Sequence, residues 1–407
     1  MYTLRTPGPH LAAASAATTR QSLDPRQSRT PSDTLCIKTS LTTELRAAPV
    51  LHRRLSHFRL CSHSAAARMS KSALNIVMGT MNFGAPDREG TRVRNVKDIE
   101  TILDVFQQHG HTEIDTARVY AGGTSEEYLG RIDWQSRGLK METKLYPVPQ
   151  PSILFNDIIN HTPEASVLRT AETSQLTHLQ NMRRHLDNSL KALNTDTLEM
   201  WYLHGPDRST PYEVTLKAVN EFYKEGKFKR FGISNYMSWE VAEIVQICRA
   251  NGYIQPTVYQ GLYNAIHRAV EPELFPCLRK YGISFYEFNP FRPQEAGSSA
   301  FLSARRSDLL RWNDRYWKEP FFKALADIRA VADKHDLTMV EVALRWISHH
   351  SLLKREFGDS VLIGASSVEH IKQNLVDLEK GPLPDEVVSV LDEAWIQVQP
   401  YSSAYFH

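Results

Sequence analysis

Short runs of β-branched and aromatic residues alternate with longer segments of helical period from Asn75 onward. This alternation is typical of parallel βαβ units, because each helix carries the chain back to the start of the next strand. The pattern predicts eight strands, at residues 76–81, 111–116, 139–145, 198–204, 229–234, 257–260, 284–289 and 361–364. The chain is therefore predicted to belong to the α/β class.

The segments between the predicted strands show the spacing of amphipathic helices. The predicted helices cover 95–109, a segment ending near 192, 212–226, 238–251, 271–281, 321–335, 338–349 and 369–378. The first presents an apolar face made of Val96, Ile99, Ile102, Leu103 and Phe106. A further short helix is expected to be capped by Ser125, because the next two residues, Glu126 and Glu127, carry charges that suit the first turn of a helix.

The number of predicted units decides between two α/β architectures. Eight strand and helix pairs within about 310 residues favour a closed barrel over an open, doubly wound sheet. A doubly wound domain that binds a nicotinamide cofactor would need a G-x-G-x-x-G turn after a strand, and the sequence has none in that position. We therefore predict a (β/α)8 TIM barrel over residues 69–407.

Residues 1–68 differ from the rest of the chain. They are rich in Ser, Thr, Ala and Arg without apolar periodicity, so they are predicted to form a disordered N-terminal extension. Their ten Lys and Arg against three Asp and Glu are similar to a mitochondrial transit peptide, but Met69 would equally serve as a start. The expected location is mitochondrial in the first case and cytoplasmic in the second.

The composition excludes several classes of protein. Of the 407 residues 42% are hydrophobic, yet no run of about 18 apolar residues occurs, so no membrane-spanning helix is expected. Residues 69–407 hold 38 basic and 43 acidic side chains, which offer no basic surface for nucleic acid. The four cysteines lack C-x-x-C spacing, so neither a metal site nor a disulfide framework is predicted, and Cys248 and Cys277 are expected to be inert thiols in helices.

Four titratable residues follow three consecutive predicted strands, at the end where a barrel places its active site. Asp115 ends the second strand, Tyr120 lies in the loop after it, Lys144 ends the third strand and His204 ends the fourth. Each one alone has an ordinary structural interpretation, as a loop cap, a surface aromatic, a solvated strand end or a hydrogen-bonded histidine. Their joint placement favours an active site, because a structural explanation would require four separate coincidences.

Six short motifs occur in one order along the chain. They are Asp-Thr-Ala-x-x-Tyr at 115–120, Thr-Lys at 143–144, Leu-His at 203–204, Gly-Ile-Ser-Asn-Tyr at 232–236, Val-Tyr-Gln-Gly-x-Tyr-Asn at 258–264 and Gly-Ala-Ser-Ser at 364–367. Taken together they resemble the aldo-keto reductase superfamily, and most closely its aflatoxin-aldehyde reductase branch. The resemblance implies an NADPH-dependent enzyme that reduces an aldehyde or a ketone to the alcohol.

The resemblance also implies that Tyr120, Lys144, Asp115 and His204 form the catalytic tetrad. Reduction of a carbonyl places negative charge on its oxygen, so an acid must donate a proton, and Tyr120 is expected to do so. The ammonium of Lys144 is expected to favour the phenolate, and Asp115 to hold Lys144 through a charge-assisted hydrogen bond. His204 is expected to bind the substrate oxygen and to stabilise its charge.

The same resemblance implies where NADPH binds. Ser234, Asn235 and Gln260 are expected to hold its nicotinamide carboxamide, and Asp115 and Asn289 are also expected to bind the cofactor. Those expected at its adenosine phosphate are Ser366, Ser367, His370, Gln373 and Asn374, where a helix begins. Many relatives carry Arg where this chain has His370, with Lys372 close by, which weakens the preference for NADPH over NADH.

Two departures from the branch concern a loop and the substrate wall. Where the branch has glycines that wrap the pyrophosphate, this chain reads Phe-Arg-Pro-Gln-Glu-Ala-Gly at 291–297, so Arg292 would have to pair with phosphate instead. Trp312 stands where the branch has Tyr, three residues before Arg315. The expected substrate-binding residues are His204, Trp312 and Arg315, with an aromatic ring that lacks the hydroxyl.

The function predicted from these observations is NADPH-dependent reduction of an aldehyde or ketone, such as a dialdehyde or a natural-product intermediate. Two alternatives stay open at this point. One is a nucleotide-sensing barrel of weak activity, like the aldo-keto reductase subunits of potassium channels, and the other is a degenerate barrel that does not bind the cofactor. The only expected partner is a small carbonyl substrate, without nucleic acid or membrane, and the resemblance implies a homodimer as readily as a monomer.

Overall fold

The structure is a computed structural model that describes residues 71–88, 90–147, 171–290, 316 and 318–407. Eight parallel strands close into a barrel in which each strand pairs with its neighbours in chain order. The predicted (β/α)8 TIM barrel is therefore confirmed. The predicted N-terminal extension, 1–68, lies outside the described residues. No helix within the described ranges is long and apolar enough to cross a membrane.

The barrel strands match the predicted ones closely. They are β1 (Asn75–Gly79), β2 (Glu113–Asp115), β3 (Lys140–Leu145), β4 (Leu198–Leu203), β5 (Phe228–Ser234), β6 (Val258–Leu262), β7 (Ser284–Phe288) and β8 (Ser360–Gly364). Each predicted strand overlaps its counterpart, and no end differs by more than two residues. The barrel closes where β1 pairs with β8, with Gly79 opposite Gly364.

Helices follow the strands and cover the outside of the barrel. In the described residues they are α1 (Val96–Gln108), α2 (Thr124–Leu129), α3 (Ala171–Ala192), α4 (Tyr212–Lys224), α5 (Ser238–Asn251), α6 (Leu274–Tyr281), α7 (Glu319–Lys334), α8 (Met339–His349), α9 (Val368–Leu378) and α10 (Asp385–Val398). The predicted start of α6 at residue 271 is wrong by three residues. The prediction also missed α10, whose buried face is formed by Val387, Leu391, Ala394 and Val398.

The predicted cap of α2 is wrong. This helix begins at Thr124, and Gly123 occupies the N-cap position in a left-handed conformation with φ +92°. Ser125 is fully buried in the first turn, and its hydroxyl donates to the carbonyl oxygen of Thr80 at 3.0 Å. Ser125 therefore ties α2 to the end of β1 instead of capping the helix.

An apolar layer fills the centre of the barrel. Because successive side chains of a strand alternate between its two faces, every second residue points inward. The layer consists of Val77, Met200, Tyr202, Val258, Tyr286 and Leu362. Gly232 makes room for it, since a Cβ at this position would lie 2.3 Å from Cδ1 of Tyr202.

Candidate active site

The centre of the candidate site is a buried ion pair between β2 and β3. The ammonium Nζ of Lys144 lies 2.6 and 2.5 Å from the two carboxylate oxygens of Asp115, and 2.8 Å from the carbonyl oxygen of Thr116. The side chains of Lys144 and Asp115 are 0% and 2% exposed. Burial lowers the pKa of Lys144, but the attraction of Asp115 and Tyr120 outweighs it, so the pKa is raised. Both charges are thus kept by their pairing.

Tyr120 reaches this ion pair from the loop between β2 and α2. The loop begins along β3, where the backbone amide of Arg118 donates to the carbonyl oxygen of Lys144 at 3.3 Å. After Tyr120 the chain turns back through Ala121, Gly122 and Gly123, which all have positive φ. Nζ of Lys144 lies 4.9 Å from the centre of the Tyr120 ring.

The pKa of Tyr120 is raised overall, although Lys144 was expected to lower it. Burial raises the pKa of the phenol, and the ammonium of Lys144 lowers it by less. The resulting pKa is above the ordinary value of 10.0, with Asp115 adding to the rise. The lowering contribution of Lys144 is present, but desolvation exceeds it because the phenol lies in the interior of the mouth. Tyr120 therefore keeps its proton at neutral pH.

His204 directly follows β4 and faces the phenol. Its backbone amide donates to the carbonyl oxygen of Leu145 at 2.8 Å, which fixes the residue beside the end of β3. The imidazole meets the Tyr120 ring edge to face at 5.9 Å between centroids. On its other side it meets the ring of Tyr146 at 5.3 Å, and Tyr146 stacks on His407 at 5.9 Å. The structure therefore brings all four predicted residues together and adds two aromatic rings.

Three predicted cofactor residues line the neighbouring strand ends. Asn235 has a left-handed φ of +68°, a conformation that Asn tolerates better than most residues. Its amide nitrogen donates to the carbonyl oxygen of His204 at 2.8 Å and to the hydroxyl of Ser234 at 2.9 Å. The amide nitrogen of Gln260 donates to Oδ1 of Asp115 at 2.8 Å. Asparagine and glutamine at these positions are thus connected directly to the candidate catalytic residues.

The other predicted cofactor residues lie around the start of α9. Ser367 caps this helix, because its hydroxyl accepts the backbone amide of His370 at 3.2 Å. The hydroxyl of Ser366 contacts Nδ1 of His370 at 2.7 Å, and Asn374 donates to the carbonyl oxygen of Gly364 at 3.2 Å.

Two predicted cofactor residues have contacts of a more structural kind. Gln373 donates to Oδ1 of Asp377 at 3.0 Å, within α9 itself. Asn289 follows β7 with φ +69°, and its carbonyl oxygen accepts a hydrogen bond from Asn264 at 3.1 Å.

These groups fit a nicotinamide dinucleotide. The amide nitrogens of Asn235 and Gln260 donate to protein acceptors, and no donor in the described residues reaches their amide oxygens. These oxygens can therefore accept from the NH2 group of a carboxamide. Asn82 after β1 donates to the carbonyl oxygen of Ala365 at 2.7 Å, while its buried Oδ1 has no partner in the described part of the chain. A buried acceptor without a donor at the mouth indicates a polar ligand. Sequence reasoning missed Asn82, because an asparagine after a strand is common.

Some predicted residues fall outside this picture. Trp312, Arg315 and Arg292 lie outside the described residues.

The described residues contain no cluster of His, Cys, Asp and Glu that could hold a metal ion. Burial raises the pKa of Cys248 to about 12, and it also raises the pKa of Cys277, which fits the inert thiols expected from the sequence.

A second buried acid, Glu142, lies beside Asp115 on β3 and was not predicted. It is the register partner of Asp115 on the adjacent strand. Tyr202 donates to its Oε2 at 2.9 Å, while Oε1 has no partner among the described residues. Burial raises the pKa of Glu142 well above its usual range, and the charges of Glu113 and Asp115 add to the rise. The signal was available, since Glu142 precedes Lys144 by two residues and must share its face of β3.

Comparisons with known proteins agree with this geometry. A model of the aldo/keto reductase family matches residues 75–396. The aldo-keto reductase pigE of Monascus ruber is 40% identical over 357 residues, which cover 83% of this chain and 98% of that relative. Aflatoxin B1 aldehyde reductase member 2 of Homo sapiens is 36% identical over 349 residues, which cover 81% of this chain and 89% of that relative.

The fold has a counterpart among solved structures. The crystal structure of an aldo-keto reductase from Klebsiella pneumoniae in complex with NADPH matches with a TM-score of 0.53 and 24% sequence identity, over 79% of this chain and 90% of that chain. This likeness concerns the barrel alone. The family match and the two relatives show that the chain belongs to the aldo/keto reductase family, whose members are NAD(P)H-dependent oxidoreductases that act on carbonyl groups.

Proposed function

We propose that this protein reduces an aldehyde or a ketone to the alcohol with NADPH, and that Tyr120 donates the proton. The observation that carries the proposal is the position of the Lys144 ammonium, 4.9 Å from the centre of the Tyr120 ring and held by Asp115. NADPH would supply the hydride that the carbonyl carbon accepts. The protein then has to supply a proton, a place for the carbonyl oxygen and a surface that holds both reactants.

Each member of the tetrad has a separate task in this reaction. Tyr120 transfers its hydroxyl proton to the carbonyl oxygen as negative charge develops there. Lys144 stabilises the phenolate that remains, and Asp115 keeps Lys144 in place. His204, whose ring meets Tyr120 edge to face, lies where it can donate to the same oxygen and orient it. Solvent returns a proton to Tyr120 after the alcohol leaves.

The proposed cofactor site extends from β5 and β6 to the start of α9. Ser234, Asn235 and Gln260 would hold the carboxamide, with Asp115 and Asn289 nearby. The adenosine phosphate would lie at the N-terminus of α9, where free backbone amides favour an anion. The choice of NADPH is supported by the ligand named for the Klebsiella pneumoniae structure and by the basic side chain of Lys372.

The proposed substrate is an aldehyde with an extended unsaturated or aromatic framework, such as a dialdehyde or a natural-product intermediate. The name of the human relative, an aflatoxin B1 aldehyde reductase, supports an aldehyde of this kind. The rings of Tyr146 and His407 beside His204 support it independently, because aromatic faces bind flat unsaturated groups. Trp312 and Arg315 remain predicted substrate residues.

The first prediction tests the role of Tyr120. The full chain is mixed with NADPH and either 2-nitrobenzaldehyde or succinic semialdehyde, the loss of NADPH absorbance is followed, and the alcohol is identified. Tyr120→Phe keeps the ring and removes the proton, so kcat is expected to fall by about 10²- to 10⁴-fold. Tyr281→Phe, at the end of α6 and away from the mouth, is the matched control and is expected to keep the wild-type rate.

Two results would count against the proposal. Equal rates of NADPH oxidation in wild type and Tyr120→Phe would remove Tyr120 from the chemistry. Quenching of protein fluorescence by NADPH, without turnover of any carbonyl, would instead favour a nucleotide-sensing barrel.

A homodimer remains a prediction from the family resemblance, and sedimentation of the full chain would decide it.

A further inference from the structure

A single carboxylate connects the loop of Tyr120 to the strand of Lys144. Glu126, in the first turn of α2, is completely buried. Its Oε2 accepts a hydrogen bond from Nη1 of Arg118 at 2.7 Å, and its Oε1 accepts one from the hydroxyl of Thr143, also at 2.7 Å. Arg118 precedes Tyr120 by two residues, and Thr143 directly precedes Lys144. The two partners of this carboxylate are therefore chain neighbours of the two groups that have to meet.

The turn after Tyr120 is shaped around the same arginine. Ala121, Gly122 and Gly123 have φ values of 49°, 64° and 92°, so three consecutive residues adopt the left-handed region. A Cβ on Gly123 would lie 2.6 Å from Nη2 of Arg118, which only a shift of the arginine could relieve. The guanidinium thus fills the inside of the turn. A displacement of Arg118 would change the path by which the chain leaves Tyr120.

Stability alone does not require a charged pair at Arg118 and Glu126. The side chains of Arg118 and Glu126 are 17% and 0% exposed, and placing two charges in such surroundings carries a large desolvation cost. Apolar residues of similar volume often give equal or greater stability at such positions. What apolar residues do not supply is direction, because only two hydrogen-bonded charges fix the angle between α2 and the loop.

We propose that Arg118 and Glu126 are positioning residues that hold the phenol of Tyr120 at the Lys144 ammonium, with Thr143 completing the connection to β3. The inference rests on the proposed role of Tyr120 as proton donor. Proton transfer requires the two reacting groups to be placed within a few tenths of an ångström, and a displacement of about 1 Å can cost about 100-fold in rate. The pair acts on the reaction only through Tyr120 and touches no reacting atom.

The test separates positioning from stability with a double variant. Arg118→Met and Glu126→Gln each leave an unmatched buried group, so each is expected to lower both Tm and kcat. The double variant Arg118→Met/Glu126→Gln removes both charges together, so Tm is expected to return toward wild type while kcat stays about 10- to 100-fold low. Arg118→Lys keeps the charge and is expected to recover part of kcat. The NADPH Kd, measured by fluorescence, is expected to change by less than about threefold.

The control is a pair of the same residue types whose side chains are both 39% exposed. Arg183 of α3 and Glu225 after α4 are joined by contacts of 2.7 and 2.6 Å on the outside of the barrel. The double variant Arg183→Met/Glu225→Gln is expected to keep the wild-type kcat. A double variant at Arg118 and Glu126 whose kcat recovers together with its Tm would overturn the proposal, because the pair would then serve stability alone.

A readout that needs no turnover keeps this inference distinct from the proposed function. In protein labelled with ¹³Cζ-tyrosine, the Tyr120 resonance is assigned by its loss in Tyr120→Phe. At pH 7 it is expected to move toward the position of free tyrosine in the Arg118→Met/Glu126→Gln variant and to stay in place in the control variant. A moved resonance without carbonyl turnover in wild type would reject the proposed function alone. Turnover with an unmoved resonance would reject the positioning role alone.

Discussion

Two buried carboxyl groups on neighbouring strands of the barrel have opposite surroundings. Asp115 on β2 and Glu142 on β3 are register partners, and they are 2% and 0% exposed. Asp115 accepts hydrogen bonds from the ammonium of Lys144 and from the amide of Gln260. Glu142 accepts one, from Tyr202, and its Oε1 has no partner among the described residues.

The contrast shows two ways in which this barrel accommodates a buried carboxyl group. Asp115 has a cation in contact, so its charge is compensated without solvent. Burial raises the pKa of Glu142 well above 4.5, and the nearby Glu113 and Asp115 raise it further against the smaller lowering by Tyr202. Glu142 therefore keeps its proton to a higher pH than an exposed glutamate does. The ion pair at Asp115 is thus stabilised by charge, whereas Glu142 is held by packing and a single hydrogen bond.

Loss of the cation should have the largest effect. Lys144→Met leaves Asp115 buried and unpaired, so unfolding should become easier by about 3–5 kcal/mol in urea titrations. The phenolate of Tyr120 also loses its stabilising charge, so kcat is expected to fall by about 10²- to 10⁴-fold. The double variant Lys144→Met/Asp115→Asn is expected to regain most of the stability without regaining kcat.

An exposed lysine provides the control for this change. Lys229 on β5 is 66% exposed and contacts Glu199 at 3.1 Å. Exposed pairs contribute little, so Lys229→Met should change the free energy of unfolding by less than about 1 kcal/mol and leave kcat unchanged. Similar losses in Lys144→Met and Lys229→Met would show that the ion pair with Asp115 has no special importance.

The raised pKa of Glu142 predicts an effect of intermediate size that depends on pH. Because its pKa is raised in the folded state, folding binds a proton that the unfolded chain releases above pH 4.5. Wild type should therefore lose stability as pH rises from about 4.5 toward the folded pKa, by at most about 1.4 kcal/mol per pH unit for one proton. Glu142→Gln has no proton to release, so its stability relative to wild type should increase between pH 5 and pH 8.

Denaturant titrations at several pH values measure this difference. Glu393→Gln, on the exposed side of α10, is the control and should track wild type at every pH. A constant difference between Glu142→Gln and wild type would mean that Glu142 is ionised in the folded protein, and the comparison with Asp115 would then fail.

The fold was predictable because its signals are local. Alternation of short apolar runs with helical segments places all eight strands to within two residues. One error lies where a tertiary contact decides the outcome. Serine is a residue type that often caps helices, yet the hydroxyl of Ser125 donates to the carbonyl oxygen of Thr80. The last helix, α10, was missed although its buried face, with Val387 and Leu391, follows the ordinary helical spacing.

The candidate site was predictable in its members but less so in its electrostatics. Parallel strands bring their carboxyl ends to one mouth, so residues that follow β2, β3 and β4 had to meet there. The direction of the Tyr120 pKa depends on how much solvent the packing excludes, which no motif records. The partners of Glu142 and of Asn82 likewise depend on strand register and on contacts between β1 and the segment after β8.

The smallest expected effect tests whether the Tyr202–Glu142 hydrogen bond is independent of the Asp115–Lys144 ion pair. Tyr202→Phe keeps the ring below Lys144 but removes the hydroxyl that donates to Glu142, so a buried acceptor loses its partner at a cost of about 1–2 kcal/mol. Because Asp115 and Lys144 keep all their contacts, kcat should change by less than about threefold. Urea titration and steady-state rates on the same preparation measure both quantities. A fall in kcat as large as that of Lys144→Met would show that Tyr202 and Glu142 take part in the chemistry.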